Sequence, residues 1–328
     1  MPSSVTHSYF SVDVYNRIDK NIKNKLKNNI EDLKTFSQGP DPYFFYDFHL
    51  TKRSKEIYKI NYSMHHKKIN DYFLSLINYI NDKKYYSNGQ VMAYLYGHIC
   101  HFVLDTTIHP LTIYNTGIYD KKNKQTYKYN GLHEEMEYYI DIYLIYNREN
   151  ILPKDYKVYK NIFNIKKLNI QLKCLIDDVI KDVYGFDNGS DIYYKSIMDM
   201  KRFYFVFNYD RYGIKKCIYK IMDFICKNRC VKKSELSFHV HPNSKLFYLN
   251  NSKDVWNHPC DINEKYDFSF TELYIKAIKK AINIINEVDK MLKEKNIDSD
   301  RIKNLFGNLD YATGKDCSLN LECKYFKF

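Results

Sequence analysis

Eight of the eleven histidines fall within the first 133 residues, at His7, His49, His65, His66, His98, His101, His109 and His133. Asp105 stands four residues after His101 and four before His109, and Glu137 stands four after His133. A four-residue step returns a helical side chain to the same face. With His101 at zero on a helical wheel, Asp105 falls about 40° away and His98 about 60° away. The stretch around them, VMAYLYGHICHFVLDTTI (91–108), is apolar on every face and carries one formal charge, Asp105. An ionised carboxylate in such a helix is costly unless it is paired or bound to metal. Two readings follow, a divalent cation or a buried Asp–His hydrogen bond.

His133 and Glu137 repeat the pattern on a second helix, on the same face as Met136, Ile140 and Leu144. That spacing suits one zinc ion or an internal ion pair. Glu134 and Glu135 also favour a helix N-terminus electrostatically. His98 reads either as a packed core histidine or as a group supporting the site. Histidine and carboxylate ligands without thiolates suit catalytic zinc, which keeps a position open to water.

These residues need long helices to position them. Seven prolines and ten glycines in 328 residues leave room for such helices. Apolar periodicity predicts helices over 10–34, 66–82, 91–108, 133–146, 165–184, 190–207, 210–228 and 269–294. Segment 91–108 is long enough to raise a membrane span, but Gly97, His98, His101, Asp105 and two threonines make it a poor one. A helix apolar all round is otherwise the centre of a bundle. Pro110 is expected to end it and to turn His109 off the axis. Loop 36–50 carries Asp41, an irregular connection spans 229–265, and a short helix with a loosely packed tail closes the chain. No strand alternation, internal repeat or linker is visible. The expectation is all-α: a single multi-helix bundle domain over 1–328, with metal ligands in 1–137.

The net charge of +12 suits an anionic partner such as phospholipid headgroups, or reflects lysines that keep helical faces hydrated. No basic block is dense enough for a nucleic-acid footprint. Eight irregularly spaced cysteines without a C-x-x-C pair read as reduced thiols. The N-terminus does not resemble a signal peptide, so a cytoplasmic location is expected.

The pieces TH (6–7), QGPD (38–41), YSMH (62–65), YGHICHFVLDTTIHP (96–110) and HEEME (133–137) together resemble the zinc-dependent phospholipase C family, which includes the clostridial alpha-toxin-type enzymes. A looser echo lies in LNNSKDVWNHP (249–259) and SFTELYIKAIKKA (269–281). The resemblance implies the helical architecture shared with three-zinc nucleases, and two or three zinc ions. It implies one metal on Asp41, His65, His101 and Asp105, with His66 an adjacent competitor for His65. A second metal falls to His109, His133 and Glu137. A third falls to His7, Asp105 as a bridge, and the chain's own N-terminus, where secreted relatives present a tryptophan amine. The activity implied is attack of zinc-activated water on a phosphodiester, phospholipid first among substrates. Asp41, expected on a loop at the mouth, orients or deprotonates the water. Tyr43, Phe44 and Phe45 either line the entrance or anchor the loop. Two alternatives stay open: a nuclease-like phosphodiesterase acting on nucleic acid or small soluble esters, and a non-catalytic metal-binding helical protein. No segment corresponding to the toxins' membrane-recruiting β-sandwich is visible.

Overall fold

The computed structural model describes residues 4–225 and 238–327. The first predicted helix is three short ones: α1 (Ser4–Tyr15), α2 (Lys20–Leu26) and α3 (Ile30–Phe36). Polar breaks separate them, and the Asp19 carboxylate accepts from Asn21 N–H at 2.7 Å to start α2. The turn after α3 leads into a run of 3₁₀ turns, Asp41–His49. Helix α4 (Lys52–His66), not foreseen by periodicity, opens on a reciprocal Thr51/Ser54 capping box. Helix α5 (Ile69–Asp82) packs beside it.

Helix α6 (Gly89–Thr116) is the axis of the molecule, about 42 Å long at 1.5 Å per residue. The Asn88 side chain caps it by accepting from Gln90 and Val91 N–H. Almost all of it is buried, and α1, α3, α7 and α12 all pack against it. Pro110 does not end this helix, contrary to expectation; α6 runs six residues further. A proline inside a helix costs about 3 kcal/mol through a lost donor and a steric clash. Burial of Leu111, Thr112, Ile113, Asn115 and Thr116 offsets that cost. The Thr106 carbonyl, one turn before the proline, is covered instead by Gly314, where a Cβ would lie 2.4 Å from that oxygen.

Helix α7 (Leu132–Glu149) carries His133 and Glu137, the second expected pair. The short α8 (Val158–Asn161) leads to α9 (Ile170–Tyr184) and α10 (Gly189–Phe203), which ends in a π-helical turn over Tyr204–Asn208. Helix α11 (Ile214–Ile225) follows; the rest of the helix expected over 210–228, and the start of the connection expected at 229, lie outside the described residues. A two-stranded antiparallel hairpin, β1 (Trp256–His258) and β2 (Asp261–Tyr266), stands where no strand was expected. Its strands are too short for alternation to register in the sequence. Helix α12 (Phe270–Glu294) opens on a Ser269/Glu272 capping box and lies along α6. The expected short helix is α13 (Ser299–Phe306); after it Tyr311 is buried against Phe102, His65 and His101, so only the tail over 318–327 is largely exposed. The fold is all-α apart from the hairpin. Among the described residues no helix is long and apolar enough to cross a membrane.

Candidate metal centre

The structure brings the eight sequence-derived candidates together in three adjoining groups. They are Asp41 with His65 and His101, His7 with His101 and Asp105, and His109 with His133 and Glu137; within each group the ligand atoms lie within 4.8 Å of one another. Helices α1, α4, α6 and α7 and the 3₁₀ segment each deliver part of the set. Asp105 joins them. Its Oδ1 is 3.1 Å from His7 Nε2 and 3.7 Å from His109 Nε2, and its Oδ2 is 3.1 Å from His101 Nε2. His65 Nε2 lies 3.2 Å from Asp41 Oδ1. Glu137 Oε1 lies 3.0 Å from His133 Nε2 and 3.3 Å from His109 Nε2.

Backbone carbonyls fix the rings. His101 Nδ1 meets Ser37 O at 3.1 Å, His65 Nδ1 meets Asn61 O at 2.8 Å, and His109 Nδ1 meets Tyr311 O at 2.9 Å. A carbonyl only accepts, so each Nδ1 carries the proton and each Nε2 lone pair faces the carboxylates. This is how metal-binding histidines are commonly oriented. His109 can do so because α6 continues through Pro110; the ring stays on the helix, one turn after Asp105.

The turn carrying Asp41 is held as firmly. Gly39 has φ +52°, and a Cβ there would lie 2.5 Å from the His101 ring. Tyr193 Oη donates to Gly39 O at 3.1 Å, and Asn61 Nδ2 donates to Pro40 O at 3.0 Å. Asp41 is therefore buried at the start of the 3₁₀ segment rather than at a mouth on a loop. Tyr43 and Phe45 are also buried, which favours the anchoring role for both.

The cluster has the marks of a cation site. His101 Nε2, Asp105 Oδ2 and Asp41 Oδ2 are buried without a hydrogen-bond partner, although His101 Nε2 and Asp105 Oδ2 are only 3.1 Å apart. Buried polar atoms are normally satisfied. A lone pair directed at a carboxylate is repulsive unless a positive charge lies between or on them. A divalent cation fits this donor set. Among protein charges alone, burial pushes the Asp105 carboxyl up, yet His101, His109 and His7 hold it well below the carboxylate range. Burial likewise opposes ionisation of Glu137, but His133 and His109 hold its carboxyl low. Burial would lower His109, whereas Asp105 and Glu137 raise it to about 9.

The other three histidines of the first 133 residues lie outside the cluster. His98 is a core residue: its Nδ1 lies 2.8 Å from Tyr72 Oη and its Nε2 3.3 Å from Tyr193 Oη, and burial keeps it neutral. His66 turns to Asp310 at 2.5 Å, and His49 stacks on Phe44. Glu135 pairs with Lys245 and accepts from Tyr248. The sequence did not assign Asp141, which accepts from the N–H groups of Val5 and Thr6 and from the Thr6 hydroxyl. A buried carboxylate at the start of α1 suits the helix dipole and ties His7 to α7. The proposed contribution of the chain's N-terminus falls on residues 1–3, outside the described residues.

The family model described as zinc dependent phospholipase C matches residues 6–187, more than half of the chain. Comparison with curated proteins and comparison with solved structures each returned no match. The matched range contains all eight clustered residues. The chain belongs to the zinc-dependent phospholipase C family.

Proposed function

We propose that the chain, acting as one domain, is a phospholipase C-like hydrolase of phosphodiesters that carries two or three zinc ions. Asp41, His65, His101 and Asp105 would hold the first, His109, His133 and Glu137 the second, and His7 with Asp105 the third. When bound, zinc supplies an acidified water and positive charge for the attacked phosphoryl group. The observation that supports the reading is the arrangement around Asp105. One buried carboxylate faces the Nε2 atoms of three histidines, two of which have Nδ1 committed to backbone carbonyls.

The chain's own part is to orient and to move protons. Asp41 is the proposed base: its Oδ1 is placed by His65, while its Oδ2 is left without a hydrogen bond to accept from a water. His133 is the most exposed of the clustered histidines, so the α7 end is the proposed side of approach for substrate.

Metal content and a three-substrate assay test this together. The expected result is two or three zinc ions per chain and turnover of short-chain phosphatidylcholine and a chromogenic phosphodiester. Zinc-loaded protein active only on single-stranded DNA would replace the phospholipid reading with the nuclease one. Protein without bound metal would leave a non-catalytic helical protein.

A further inference from the structure

Helix α11 presents an apolar stripe outward. Ile214, Ile218 and Ile221 are 64%, 50% and 60% exposed, and Cys217 between them is exposed too. The steps of three and four residues place all of them on one face. The opposite face anchors the helix: Tyr219 Oη donates to Phe207 O at 2.9 Å, and Lys215 Nζ donates to Phe205 O and Tyr209 O. The exposure is therefore a property of a docked helix with a defined outer side.

A second apolar surface lies at the turn to which α11 is tied. The π-helical turn beneath α11 exposes Phe205 and Val206. Val206 and Phe207 line, with Phe44, Phe48, Leu50 and Phe203, a cleft of ≈ 450 Å³ beside the segment that begins at Asp41. Isolated exposed apolar residues need no explanation, whereas a continuous apolar surface marks a contact site.

Charge narrows the choice of partner. Residues 201–225 hold six cations, Lys201, Arg202, Arg211, Lys215, Lys216 and Lys220, against Asp210 and Asp223. Asp210 is buried and accepts from Lys215 and Lys216 N–H. Arg202 and Arg211 pair with Asp199 and Asp155. The ammonium groups of Lys216 and Lys220 pair with no carboxylate among the described residues, Lys216 meeting Asp210 only through its backbone N–H. An apolar stripe flanked by Lys220, with Lys215 and Lys216 on the other side of the same helix, is the pattern of a basic amphipathic segment that rests in a lipid headgroup region. The whole chain's charge of +12 has the same sign preference.

We infer that the outer face of α11, with the adjoining cleft at Phe48 and Leu50, is a docking surface for an anionic phospholipid bilayer. The inference deepens the phospholipid reading of the metal centre, since it identifies how a bilayer substrate would be engaged. Vesicle flotation measures it without catalysis, so failure of docking and failure of the hydrolase reading are separable.

The test uses full-length protein with vesicles of phosphatidylcholine alone or mixed with phosphatidylserine. Wild-type protein is expected to float with the mixed vesicles, and less so at high salt or with phosphatidylcholine alone. Ile218→Asp and Ile221→Asp should each weaken partitioning about tenfold, and Lys216→Glu with Lys220→Glu should abolish the preference for anionic lipid. All three variants should keep the wild-type circular dichroism and the wild-type rate on a monomeric soluble diester. The proposal is overturned if wild-type protein ignores both vesicles, or if the isoleucine variants float unchanged. It is also overturned if the double lysine variant keeps the anionic preference, or if the isoleucine variants instead dissociate a dimer on sedimentation.

Discussion

Asp105 is where the three groups of candidate ligands meet. Its two oxygens face His7, His101 and His109 from the middle of an apolar helix. Asp105→Asn keeps the shape and removes the charge. Metal content by elemental analysis should fall, and diesterase rate should drop by more than the roughly 10–100-fold typical of losing an outer-shell partner. Full zinc occupancy in that variant would remove Asp105 from the bridging role. His109 adds a pH signature to metal-free protein. Its folded pKa is raised to about 9, above the value near 6.5 expected of an unfolded chain. Its proton therefore stabilises the fold fully below about pH 6.5, and that contribution disappears as pH rises through about 9. Thermal melts of chelated protein should show Tm falling across that window. Zinc-loaded protein should not share the fall, because zinc takes the nitrogen in its neutral form. At this scale the sequence was informative, since ligand chemistry is written in side-chain identity: His7, Asp41, His65, His101, Asp105, His109, His133 and Glu137 all gather. It was silent on the carbonyls of Ser37, Asn61 and Tyr311, which any residue type could have provided.

At the scale of elements, the continuity of α6 past Pro110 decides where His109 points. Local rules predicted a stop, but the proline's missing bond is tolerated because the last turns are buried and Gly314 closes over the Thr106 carbonyl. Gly314 also has φ +64°, so Gly314→Ala strains the backbone and drives a methyl into that carbonyl. The expected cost is above the 1 kcal/mol typical of such replacements, read as a lower denaturation midpoint. Displacement of His109 should accompany it, visible as lower zinc occupancy of the second group. A variant as stable and as metal-rich as wild type would show that the tail merely rests on α6. Periodicity located α7, α9 and α12 because each buries a regular face, and α6 stood out because its centre is apolar all round. It missed α4, KRSKEIYKINYSMHH, in which polar residues outnumber the few apolar ones, and the hairpin, whose strands are very short.

Across the whole molecule, the bundle concentrates three carboxylates and five histidines where helices from both ends of the chain meet. The second half does more than complete the core. Tyr311 N–H donates to His65 O, Tyr311 O receives His109, and Asp310 draws away His66, the neighbour that competes with His65. Every metal ligand proposed here is synthesised within the first 137 residues, yet the His109 ring is oriented by the Tyr311 carbonyl and the His65 backbone is held by the Tyr311 N–H. A nascent chain would thus expose its histidines long before it could arrange them. On the proposed ligand set, selective metal uptake would be a late event in biogenesis, set by the arrival of a segment that contributes no ligand of its own.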